Sequence, residues 1–143
     1  MAEQNLKNHT QIVPVFLING LVLMATVIGA MVNLYQSIGD HERLYSAALI
    51  ALLSVSVLIT SFFSRIFPLK AQDRAIRAEE NLRHYALTGK LLDARLQPLQ
   101  IVALRFASDA EFPELARKAA DSAMEPKAIK EAIRTWRPDT YRV

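Results

Sequence analysis

The feature that most constrains this chain is where its charges are absent: no Asp, Glu, Lys or Arg falls between Ile12 and Leu34, or between Leu44 and Ser64. About 20 apolar residues in a helix cross a hydrocarbon core roughly 30 Å thick, and each run has that length. Of the 17 cationic residues only Lys7 and Arg43 precede Arg65, and of the 14 acidic ones only Glu3, Asp40 and Glu42 do. The sequence therefore predicts an all-α protein, with a two-helix transmembrane hairpin over 1–67 (spans at about 13–35 and 44–64) and a small cytoplasmic helical domain over 68–143.

A cleaved leader is the competing reading of the first run. The segment before it sets Glu3 beside a single Lys7, and the apolar stretch exceeds the roughly 7–15 residues of a signal-peptide core, so a retained span is expected. The runs are joined only by Gln36–Arg43, which forces an antiparallel return with a turn at Gly39-Asp40. Orientation follows from Arg65, Lys70, Arg74, Arg77 and Arg83, which crowd the exit of the second span, while the connection offers only Arg43 between acids. Cations near a span stay cytoplasmic, so both termini are expected on that side, which in a bacterium means a multi-pass inner-membrane protein with the Asp40–Glu42 loop in the periplasm.

Within the spans the polar and small residues repeat. Asn19, Thr26 and Asn33 recur every seven residues with Gly29 beside them, and Ala47, Ala51, Ser54 and Ser61 form a similar stripe on the second run. Small residues let helix backbones approach, and an amide in hydrocarbon needs a partner, so these eight positions are expected to form a helix-packing or oligomer seam. The cations Arg65, Lys70, Arg74 and Arg77 form a basic cluster suited to the membrane surface; fixing topology explains them more simply than recognition of a specific lipid, and Glu79 and Glu80 interrupt them.

In the second half, Pro68 is read as opening a helix that stops at Gly89, with Asp73–Arg77 and Glu79–Arg83 as i,i+4 pairs. The segment from Pro98, with Leu99, Ile101, Val102, Leu104 and Phe106, is the expected core. Ser108 to Pro113 reads as a turn leading into a helix that buries Leu115, Ala116, Ala119 and Ala120. A last helix from Pro126 is expected to carry Ile129, Ala132, Ile133 and Trp136 on one face and to end at Pro138.

Catalytic patterns are missing. The chain has no cysteine, which excludes disulfides and thiolate chemistry. His9, His41 and His84 are far apart, no phosphate-binding, dinucleotide or nucleophile-elbow motif occurs, and carboxylates such as Asp73 and Asp93 have no nucleophile beside them. No enzyme, cofactor or metal is expected, and the net charge of +3 suits topology and lipid contact rather than nucleic acid.

Several strings carry a resemblance: EQNLKNHT at Glu3–Thr10, RLYS at Arg43–Ser46, KAQDRAIRAEENLRH at Lys70–His84, TGKLLDAR at Thr88–Arg95, ALRFASD at Ala103–Asp109 and AIRTWRPDTYRV at Ala132–Val143. In these the chain resembles, over nearly its whole length, a family of small uncharacterised bacterial membrane proteins, a domain of unknown function. The resemblance implies the hairpin with a helical domain and a bacterial origin, and carries no activity or site residue with it. The function expected is that of a non-enzymatic scaffold or accessory subunit that contacts membrane lipids, self-associates, and offers its helical domain to a protein partner. The alternative is a small oligomeric pore or transport component, and a weaker rival is an enzyme working through cytoplasmic carboxylates.

Overall fold

The computed structural model describes residues 5–6 and 13–139; the rest of the leader, including His9, and residues 140–143 lie outside the described residues. Among the described residues the chain is all-helical: α1 (Pro14–Gln36), α2 (His41–Thr88), α3 (Pro98–Leu104), α4 (Phe112–Asp121) and α5 (Pro126–Ala132). In place of strands there is one isolated antiparallel bridge, Ala107 to Trp136. The chain divides into two compact units, one being Ile12–Pro68 and the other including Leu69–Val143.

In the first unit, α1 starts with Pro14 in its first turn, where the missing N–H has no intrahelical partner to lose. It ends where Ser37 N–H reaches back to the Asn33 and Leu34 carbonyls at 3.0 and 3.2 Å. Gly39 then takes φ +96°, a left-handed conformation that a Cβ would resist, and Asp40 Oδ1 accepts from Arg43 N–H at 3.3 Å as α2 begins. The returning helix runs antiparallel to α1. Asn19 Nδ2 donates to Ser61 Oγ at 3.3 Å, and the Arg65 guanidinium lies 5.9 Å from the Phe16 ring centre.

Packing in this pair follows steps of three and four. Phe16, Gly20, Leu23, Val27, Ala30 and Leu34 of α1, with Ser37 just past its end, are less exposed, as are Leu44, Ala47, Ala51, Ser54, Leu58 and Ser61 of α2, beside which Val55 is also half-buried. This is the heptad pattern of two helices meeting along one seam. Away from the seam, Leu17, Ile18, Leu21 and Leu53 are each more than half exposed. Both helices are long and apolar enough to cross a membrane, with mean hydropathy of 2.4 and 2.2 over their most apolar stretches, of which only 6% and 17% is buried.

Pro68 does not open a new helix: it lies inside α2, which runs for 48 residues. A proline in a helix deprives one carbonyl, that of Ser64, of its donor. The helix nonetheless continues across the gap to Thr88. The expected stop at Gly89 is observed, with φ +73° and its N–H bonded to the Tyr85 carbonyl at 2.8 Å. Thr88 Oγ1 and His84 then bind around Lys90, and Leu92 N–H donates to Asn81 Oδ1 at 3.2 Å, turning the chain back.

The core of the second unit joins Leu92, Leu96, Ile101, Leu104, Phe106, Phe112, Leu115, Ala119, Ile129 and Ile133. Pro113 falls in the first turn of α4, and Leu115, Ala116, Ala119 and Ala120 are buried along it. Leu99 departs from expectation, being 60% exposed, because α3 is a true helix and turns Ile101 and Leu104 inward on the opposite side. Trp136 also departs, since α5 ends at Ala132 and Ile133 is already extended. The reason is tertiary competition: the Glu111 carboxylate accepts from Arg134 and Thr135 N–H at 3.1 and 3.0 Å, and Arg137 N–H donates to the Phe106 carbonyl at 2.7 Å. Those bonds pull the chain off the helix and lay Trp136 against Phe106, ring centres 5.0 Å apart.

Candidate functional site

The densest polar grouping of the second unit is built on the inner side of α2. Arg83, three residues after Glu80, sends Nη1 to Glu80 Oε2 at 2.9 Å and Nη2 to Asp109 Oδ1 at 2.6 Å. Its Nε also donates to Asp109 Oδ1 at 2.7 Å, and Nη2 donates to the Ala107 carbonyl at 2.6 Å. The plane of the guanidinium rests on Phe112, 4.3 Å from the ring centre, so a cation only 11% exposed meets hydrogen bonds at its edge and a π-face below. Glu80 is nearly buried and its other oxygen faces Arg137 Nη1 at 3.8 Å. Glu79, Glu80, Arg83, Asp109 and Arg137 line an open cleft of about 290 Å³.

A second buried cation, Arg105, pairs through Nε with Asp139 Oδ2 at 3.1 Å and lies over Phe106 at 4.6 Å. The final described segment is thus fastened at Arg134, Thr135, Trp136, Arg137 and Asp139 in turn. On the surface, Arg95 bridges Asp93 at 2.7 Å and Asp121 at 2.9 Å. The Arg95 hydrogen bonds hold the Asp93 carboxyl at about 2, and Asp93, then Asp121, raise Arg95 above the usual arginine range.

Chemically the cleft sets three carboxylates, Glu79, Glu80 and Asp109, against two guanidinium groups, Arg83 and Arg137. Its lining offers no hydroxyl, thiol or imidazole, and among the described residues no three His, Asp or Glu side chains converge as metal ligands. Glu79, Asp109 and Arg137 are its solvent-facing groups, the last two 68% and 52% exposed. Sequence spacing pointed to Glu79–Arg83, but Arg83 turns to Glu80 instead. The i,i+3 spacing was readable, whereas Asp109 and Arg137 join through tertiary folding alone.

The residues singled out in the apolar unit separate into two groups. Ala47, Ala51 and Ser54 are buried, and Ser61 is half-buried with the hydrogen bond from Asn19. On α1 the buried position is Ala30; Asn19, Thr26, Gly29 and Asn33 are exposed, one position off the seam. Thr26 Oγ1 donates to its own helix, to the Val22 carbonyl at 2.8 Å, and the Asn33 amide makes no hydrogen bond to a described residue. Of the basic cluster, Arg65 turns toward Phe16, while Lys70, Arg74 and Arg77 are exposed at i, i+4 and i+7 on α2 without an ion-pair partner among the described residues.

No curated protein and no solved structure matches the chain. The model of a family of unknown function, DUF6526, matches it over residues 1–143, so the chain belongs to that family.

Proposed function

We propose that this protein is a two-span membrane scaffold or accessory subunit without catalytic activity, its α1–α2 hairpin held in a bacterial inner membrane and its helical domain presented to protein partners in the cytoplasm. The observation that carries the reading is the inverted surface of the first unit. Leu17, Ile18, Leu21, Leu52 and Leu53 point outward while Ala47, Ala51 and Ser54 are buried. Lipid covers such a surface without cost, whereas water would leave an apolar patch far beyond what a soluble monomer carries. The cations after Arg65 support cytoplasmic termini. The buried charges of the second unit are spent on one another, which supports a structural rather than catalytic use.

The alternative, a small oligomeric pore, is favoured by one observation: Thr26, Gly29 and Asn33 face away from the seam. Against it, neither apolar run contains a charged residue, and ion pathways usually bring charges or free carbonyls to the midplane.

The chain has no cysteine, so single cysteines test the topology directly. Ser37 is buried, but Ile38 beside it is 68% exposed and Ser122 is exposed. In intact cells an impermeant thiol reagent is expected to label Ile38→Cys and to leave Ser122→Cys unlabelled until lysis. The reverse pattern overturns the orientation, and labelling of both overturns membrane insertion. Purification in mild detergent is expected to yield a self-associated complex with a second protein. Ion flux in reconstituted liposomes that Asn33→Leu changes replaces the scaffold with the pore.

A further inference from the structure

We propose that the face of α2 formed by Ala71, Ala75, Ala78, Leu82 and Tyr85 is the seam of a parallel two-stranded coiled coil with a second copy of this chain, flanked by Arg74–Glu79 ion pairs between the copies. This deepens the self-association proposed above and rests on that reading for the shared insertion direction of the two copies. All five residues are exposed, Leu82 at 68% and Tyr85 at 55%, although they lie on the opposite side of α2 from Ile76, Glu80 and Arg83. Their steps of four, three, four and three are those of the a and d positions of a heptad, beginning at d with Ala71. Three alanines let the backbones approach, and Leu82 and Tyr85 supply the apolar area before Gly89 ends the helix.

The charges beside this face decide what covers it. Arg74 takes position g and Glu79 the following position e, the two places that meet between copies in a parallel coiled coil. A two-fold axis then makes the pair twice. In an antiparallel arrangement g meets g and e meets e, which sets Glu79 against Gln72 and Arg74 against Asn81 or Thr88, without opposite charges. Arg74 has no ion-pair partner among the described residues. An anionic lipid surface would also attract Lys70, Arg74 and Arg77, but it would repel Glu79 on the other border of the face. A seam of about two heptads is short for a free coiled coil; confinement of both copies to one bilayer raises their effective concentration enough for it to serve.

The test uses the full chain in native membranes. Ala78→Cys is expected to give a disulfide-linked dimer on mild oxidation, because identical d positions face one another, while Lys118→Cys, exposed on α4, stays monomeric. Arg74→Glu is expected to weaken dimerisation in detergent roughly ten-fold by replacing two attractions with two repulsions, and Arg74→Glu combined with Glu79→Arg to restore it. Leu82→Ser lowers the cross-linked fraction without touching the cleft. Equal cross-linking at positions 78 and 118, or none at 78, overturns the proposal. So does shielding of the position-78 cysteine by anionic vesicles with no dimer present, which assigns the face to lipid. Alkaline carbonate extraction separates the two failures: a monomer that stays in the membrane pellet breaks the dimer alone, whereas a cross-linking protein that is extracted breaks the membrane reading alone.

Discussion

The two units satisfy their polar groups in different ways. In Ile12–Pro68, hydroxyls bond to the carbonyls of their own helix: Ser54 to Ala51, Ser56 to Leu52, Thr60 to Ser56 and Ser64 to Ser61, all at 2.7–2.9 Å. The large apolar side chains are left outside. In Leu69–Val143, Phe106, Phe112, Leu104 and Ile129 are the largest fully buried side chains, and the charges among them are paired over long sequence separations. The difference supports the proposal that each unit is matched to a different solvent. A helix surrounded by hydrocarbon satisfies its polar groups locally because nothing outside will, while a small water-facing domain gathers its apolar groups and tolerates charge inside when partners are fixed.

The comparison breaks most readily at Phe106. This ring is 1% exposed, so Phe106→Ala is expected to cost about 3–5 kcal/mol, more than a domain of this size tolerates, and to leave the second unit protease-sensitive while the proposed membrane insertion is unaffected. Wild-type protease resistance would show that the unit is not held by its core. Next in size is Arg83→Met, which leaves Glu80, 6% exposed, facing only Arg137 at 3.8 Å; a loss of about 3 kcal/mol is expected in chemical denaturation. Removing both partners with Glu80→Leu and Arg83→Met is expected to cost less than Arg83→Met alone. A larger loss in the double variant would mean the pair stabilises in its own right.

How much of this was legible in the sequence follows the same division. Two helices long and apolar enough to cross a membrane, the Gly39 turn and the Gly89 stop were readable because each depends on local chemistry: hydropathy, or a backbone conformation that glycine accepts. The buried side of α4 was readable from its spacing. What failed depended on competition at a distance. Nothing near Ile133 announces that Glu111 will take the Arg134 and Thr135 N–H groups, and nothing near Pro68 tells a helix start from a helix interior. On α1 the spacing showed that Asn19, Thr26 and Asn33 share a face; that Asn19 bonds to Ser61 while Gly20, Val27 and Leu34, one position on, are the less exposed side toward α2 had to be seen in space. Among the candidate charges, Glu80 with Arg83 was within reach of spacing, while Asp109 and Arg137 had to be seen in space.

A smaller effect sharpens the picture of the apolar unit. Asn19 makes a hydrogen bond from α1 to α2, and such bonds between membrane helices contribute about 0.6 kcal/mol, so on the proposed membrane reading Asn19→Leu is expected to loosen the pair slightly in a steric-trap or detergent unfolding measurement without preventing insertion. A loss of several kcal/mol would mean that the seam depends on its amide more than on the packing of Ala47, Ala51 and Ser54.

The smallest effect expected is at the surface of the other unit, where Arg95 joins Asp93 and Asp121. The hydrogen bonds from Arg95 lower the Asp93 carboxyl from 3.8 to about 2. A carboxyl depressed in the folded state stabilises it at pH values above the unfolded value, and that contribution fades as pH falls from near 4 through about 2, where the native carboxylate is protonated. Both side chains are substantially exposed, so solvent and salt screen the pair. Arg95→Gln is therefore expected to return the Asp93 titration, followed by carboxyl carbon NMR in detergent-solubilised protein, toward the ordinary aspartate range. The thermal midpoint near neutral pH should move little, and any difference from wild type should shrink below pH 4. A marked stability loss at pH 7 that persists in high salt would place Arg95 among the structural cations, with Arg83 and Arg105, and erase the contrast between the paired interior and the screened surface.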